Sequence, residues 1–217
     1  MIKAFGAVLA SFALFAVVSA EPALADAAIS AKGQRLAQVL DQMGVETKWI
    51  AGSHIDWETG LPDDRAEVLP GRHTHCSAFV AAAAKKLGVY ILRPPQHGQV
   101  LLANAQNEWL ASEGASQGWR PVSGPVEAQS LANSGMLVVA SYHNHRDDKP
   151  GHIAIVRPDN KSEQEITAEG PTVIQAGTVN SASISVSAGF AGHPHAWGDN
   201  EIDYFAHAAP AIGVAGK

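Results

Sequence analysis

The chain has 217 residues, 46% of them hydrophobic and 17% charged, with 15 basic residues against 21 acidic ones and a formal charge of −6. That length and apolar content support one domain with a proper core and exclude a disordered chain, while a mean hydropathy of −0.02 excludes a polytopic membrane protein. The negative balance argues against nucleic acid or an anionic membrane surface as partner, and a lone cysteine leaves neither an intramolecular disulfide nor a paired-cysteine metal knuckle.

Residues 1–25 have the three-part layout of a secretory signal: Lys3, a largely apolar run over 4–18, then small residues. Two cleavage sites compete, after Ala20 and after Ala25, and the second is favoured. The run is short for a membrane span, which needs about 20 residues; an uncleaved anchor is the alternative. Removing 1–25 takes away Lys3 and Glu21 together, so the mature charge is unchanged. The protein is expected to be exported, to the periplasm or beyond the cell, with no stable membrane span after cleavage.

In the mature chain, Ile29, Leu36, Val39, Leu40 and Met43 form one helical stripe over 27–43, and Gly44 offers the stop. Residues 45–72 read as irregular. The segment SAFVAAAAKKL, 77–87, is a strong helix former ended by Gly88. Short helices are expected over 104–113 and 126–133. The character then changes: MLVVASY, HIAIVRP, PTVIQAG and SISVSAG are short β-rich runs between turn-like segments. Residues 159–171 read as a polar hairpin loop, with room for a short strand. Helices first and strands afterwards predict an α+β domain over 26–207, with N-terminal helices packed on an antiparallel sheet and a flexible tail at 208–217.

Cys76 immediately precedes the alanine-rich helix. A thiol at a helix N-terminus faces unpaired N–H groups and the positive dipole end, which favours the nucleophilic thiolate. The competing reading is a small buried hydrophobe beside Phe79 and Val80. His152 opens the alternating strand GHIAIV and has a pKa suited to taking a thiol proton. Gln175 stands in the next strand where an apolar residue is expected. Facing inward, it would hydrogen-bond the second imidazole nitrogen and fix the tautomer; facing outward, it is a solvated glutamine.

A cysteine at a helix start, then GHIAIV, then a polar residue in the following strand resembles the papain-like cysteine amidases and peptidases of the NlpC/P60 and CHAP branches. These are bacterial cell-wall hydrolases, and the resemblance covers roughly 70–190. The segment Ser134-Gly135-Met136-Leu137 takes the place of the family's Gly-Asp-Leu-Val-like turn. The resemblance implies a papain-like fold, Cys76 as nucleophile, His152 as base and Gln175 as the third polar member, acting without a cofactor. It implies an amide bond of peptidoglycan or a muropeptide as substrate. His75 stands where the family often has Asp or Asn, and Gln175 where it usually has His, Asn, Asp or Glu. Trp57, His75, His143 and His145 are expected to line the cleft, and an oxyanion donor besides the Cys76 N–H is sought at Trp57 or in residues 53–56.

Two other readings stand beside this one. The pairs His73/His75, His143/His145 and His193/His195 would each share a face if extended, so with His152 or Cys76 they could hold zinc in a hydrolase or a periplasmic metal binder. The third reading is a non-catalytic cell-wall-binding domain, with Trp49, Trp57, Trp109, Trp119 and Trp197 available for stacking.

Overall fold

The computed structural model describes residues 28–63 and 73–212; residues 1–27, which include the expected signal, residues 64–72 and residues 213–217 lie outside the described residues. Helix α1 spans Ala31–Asp41, with Ser30 as its N-cap, accepting from Gly33 N. Helix α2 spans Cys76–Lys86 and is buried from Cys76 to Ala84, with only its last turn, Lys85 and Lys86, in water. That burial explains the alanine run: small side chains let a helix pass through the core with neighbours on all sides. Helix α3 (Leu102–Ser112) follows, then strand β1 (Arg120–Val122) and helix α4 (Pro125–Asn133).

Strands β2 (Leu137–Tyr142), β3 (His152–Val156), β4 (Thr172–Gln175), β5 (Ser181–Ser185) and β6 (Asp203–His207) complete an antiparallel sheet in the order β1-β6-β2-β3-β4-β5. Every residue of β2, β3 and β4 is buried, because both faces of the sheet are covered. On one face Leu137, Val139, Ile153, Ile155, Ile174 and Phe205 pack with α1 and α2. On the other, Val138, Ala140, Ala154, Val156, Val173 and Tyr204 pack with Ala128 and Ala132 of α4, Val186 and Phe190. The fold is therefore α+β, with helices against an antiparallel sheet.

Four segments differ from the sequence expectation. Residues 163–169 form helix α5 (Glu163–Glu169), not a hairpin loop; Ser162 and Glu165 make a reciprocal capping box, and Ile166 is buried beneath it. The run SISVSAG splits at Ser185, whose side chain accepts from Ala188 N and opens the one-turn helix α6 (Val186–Gly189); helix α7 (Pro194–Gly198) follows. Strand β6 lies in a segment with no strong period-2 signal, yet it pairs with β2 over five residues from Leu137↔His207 to Ser141↔Asp203. The tail is packed through Ile212, where Arg35 Nε donates to the Ile212 carbonyl at 3.0 Å and Ala211 N to Leu87 O.

Candidate functional site

The site lies where the start of α2 meets the start of β3. Cys76 is 3% exposed, and the N–H of Ile153 (the residue after His152), the N–H groups of Ser77 and Cys76 and the Thr74 side chain stand near enough to its thiol to oppose the effect of burial. Burial nevertheless pushes the thiol up from its ordinary value, and these donors only oppose it. This corrects the thiolate expected from helix placement alone: the helix start does supply N–H groups, but the sulfur is out of water, and desolvation wins. Gln106 in α3 fixes that first turn from behind, its Nε2 donating to Ser77 O at 3.1 Å and Leu92 O at 2.9 Å.

His152 occupies the first position of β3, 4% exposed, and burial lowers its pKa while Gln175 raises it. Its Nε2–H donates to Gln175 Oε1 at 2.8 Å. The glutamine amide is itself oriented, because its Nε2 donates to the Val179 carbonyl at 3.1 Å. With the amide fixed, the tautomer follows: Nε2 carries the proton and Nδ1 keeps a free lone pair in the neutral ring. Gly189 makes room for this arrangement, since a Cβ there would lie 2.8 Å from Gln175 Oε1.

Alternation along β3 turns His152 to the face shared by Ala154 and Val156, while Ile153 and Ile155 turn towards α2. Cys76 and His152 therefore open into neighbouring cavities. One of about 290 Å³ is lined by Cys76, Ser77, Val100, Leu101 and Asp148. The other, of about 440 Å³, is lined by His152, Gln175, Thr178, Val179 and His193. Thr74 borders both. Val100 and Val179, 81% and 66% exposed, stand one in each lining.

The approach to His152 is held by α3. Asn104 Oδ1 accepts from Gly151 N at 2.6 Å and from Asn144 N at 3.3 Å, and its Nδ2 donates to Lys149 O at 3.0 Å. Gly151 has no alternative at this point: a Cβ would meet the Tyr142 carbonyl oxygen at 2.0 Å and Asn104 Oδ1 at 2.6 Å. Sequence reading missed Asn104, though polar residues at helical i and i+3 on an otherwise apolar face (Asn104 and Asn107) were a usable signal.

The expected cleft residues scatter. His75 is buried, donates from Nε2 to Ser53 O at 2.9 Å, and borders a third cavity with Thr74 and Val100; burial lowers its pKa. His143 donates to Glu108 Oε1 at 2.9 Å in a cavity with Val100 and Asp147. His145 donates to Glu201 Oε2 at 2.6 Å on an exposed rim. Trp57 lies outside the linings around Cys76. Its ring is 5.5 Å from Lys85 Nζ at the far end of α2, nine residues or about 13 Å along the axis from the cysteine. Its carbonyl accepts from the Trp49 indole, and the Asp56 carboxylate caps its own turn, so the 53–57 segment is spent on structure.

The histidine pairs also separate, because the i and i+2 rule needs a strand and these residues sit in loops or at a helix start. Rings pair across segments instead. His152 stacks on His193 at 5.7 Å between centroids and 17°, and His145 on His195 at 5.0 Å and 18°. Tyr142 stands between the two pairs, 5.3 Å from His193 and 6.3 Å from His145. Among the described residues no group of three or more His, Cys, Asp or Glu side chains converges as metal ligands, and no helix is long and apolar enough to cross a membrane. No protein-family model matches the chain, and no curated protein does.

Proposed function

We propose that this protein is an exported papain-like cysteine hydrolase, of the NlpC/P60 and CHAP kind, that cleaves an amide bond in bacterial peptidoglycan or its muropeptide fragments. One observation carries the reading. His152 donates from Nε2 to an amide that is itself held in place, which leaves Nδ1 free as a proton acceptor, and Ile153, the next residue of the same strand, stands with its N–H near the Cys76 thiol.

In the resting protein thiol and imidazole are both neutral, since burial pushes the first up and the second down. Proton transfer therefore accompanies attack and does not precede it. The Sγ proton passes to His152 Nδ1, and Thr74, which touches the thiol and borders the His152 cavity, lies on that path. Sulfur adds to the substrate carbonyl, and the N–H groups that surround Sγ stand near the developing oxyanion. The imidazolium then returns its proton to the departing amine, leaving a thioester. Water activated by His152 hydrolyses the thioester and restores the thiol. Gln175 holds the ring through the cycle but offers a dipole where a carboxylate would offer charge. The apolar Val100 and Val179 at the two cavities suit aliphatic groups on either side of the scissile bond. The signal-like residues 1–25 support export.

The test is to incubate the purified protein with muropeptides and follow new termini by mass spectrometry. A mass gain of one water, lost in Cys76→Ala and His152→Ala variants of unchanged circular dichroism, supports the hydrolase. Cleavage retained in Cys76→Ala, or none on any muropeptide or intact sacculus, overturns it.

A further inference from the structure

The ring that covers His152 comes from a segment outside the dyad and its glutamine. Phe190 approaches the imidazole edge-on at 4.6 Å and 74°, and His193 lies parallel to it. Both come from the stretch between α6 and α7, whose backbone is fixed. His193 N donates to Phe190 O at 2.8 Å, and Ala196 N donates to His193 O at 3.0 Å. Pro194 next in the chain holds His193 in an extended conformation, at φ −126° and ψ 87°. The half-buried His193 ring borders the cavity that holds His152 and Gln175, and its ring contacts among the described residues are with Tyr142 and His152. An imidazole kept there without a hydrogen-bond partner among the described residues calls for a reason.

We propose that His193 is a positioning residue for His152: its parallel ring fixes the plane in which the base presents Nδ1, and it leaves the proton to His152. This rests on the hydrolase reading above. Two imidazoles in stacking range cannot both be cationic at little cost. Burial and the neighbouring His152 bring His193 down to about 4, so it stays a neutral face while the base cycles. The titratable groups packed around the pair are Tyr142 from β2 and, beyond it, His145 with Glu201 and His195 with Asp199. Burial and those two carboxylates hold the Tyr142 phenol up, so it remains neutral throughout.

The experiment pairs two readouts on the full protein. Iodoacetamide labelling of Cys76 is followed against pH in wild type, His152→Ala, His193→Ala and His193→Phe, and histidine titrations are followed by NMR in wild type and His152→Phe. Labelling in His193→Ala is expected to slow about tenfold, with His193→Phe, which keeps the ring, restoring most of the rate. The His193 midpoint is expected to rise by about one pH unit in His152→Phe as the competing charge is removed. Labelling in His193→Ala equal to wild type, or a His193 titration indifferent to His152, overturns the positioning role. Wild-type labelling that does not depend on His152 overturns the hydrolase reading instead, and the NMR arm still decides whether the two rings are coupled.

Discussion

The inner pair His152/His193 and the rim pair His145/His195 share nearly the same ring geometry, 17° and 18° between planes at 5.7 and 5.0 Å. Their surroundings are opposite. On the rim each imidazole meets a carboxylate at 2.6 Å, His145 with Glu201 and His195 with Asp199, and Asp199 raises the His195 pKa. In the interior the partner of His152 is an uncharged amide, and burial holds both rings towards the neutral form. Stacking by itself thus says little about protonation: on the exposed rim the Asp199 carboxylate favours the charged form of His195, whereas in the interior burial outweighs the Gln175 amide and holds His152 towards the neutral form.

The largest test of this contrast removes the interior imidazole. On the proposed hydrolase reading, His152→Ala is expected to lower amide hydrolysis at least about a thousandfold while the fold survives, read by single-turnover kinetics and circular dichroism. Next, Gln175→Glu gives the interior the electrostatics of the rim. A carboxylate at that position favours imidazolium, so the His152 midpoint rises and Cys76 labelling extends to lower pH; an unmoved midpoint would show that burial overrides whatever group faces Nε2.

A smaller effect is expected on stability. His193 titrates at about 4 in the folded protein against 6.5 in the unfolded chain, and His152 and His75 are shifted the same way. The unfolded state takes up protons first as pH falls below 6.5, so this contribution is whole above 6.5 and is lost on the way to 4. The thermal midpoint is expected to drop by roughly 5 °C over that window, less in His193→Phe. At the rim, Asp199→Asn lowers the His195 midpoint but moves the melting temperature by less than about 1 °C, because the pair is exposed.

The contrast also separates what the residues announced from what they concealed. Helix α2 and strand β3 were legible, because an alanine-rich run closed by glycine and an alternating apolar strand carry their own periodicity. Gln175 was legible as a polar residue out of pattern. Helix α5 was missed despite Ser162 and Glu165 at capping-box spacing, since a polar composition suggested a loop. Strand β6 was missed because its pairing with β2 lies more than sixty residues away in sequence and supplies the order that DYFAH lacks locally. The alternative of His193 and His195 as a chelating pair fails because the helix start at Pro194 sends one inward and the other to the rim. Which histidine meets which is decided by tertiary packing, and no spacing rule within one segment encodes it.

Gly151 offers no functional group, yet no side chain fits between the Tyr142 carbonyl and Asn104 without shifting the strand that starts with His152. On the proposed reading, a genetic screen for inactive alleles should therefore return position 151 beside 76 and 152, with protein that is expressed and still carries both the thiol and the imidazole. Such alleles would separate the cost of misplacing a working imidazole from the cost of deleting it.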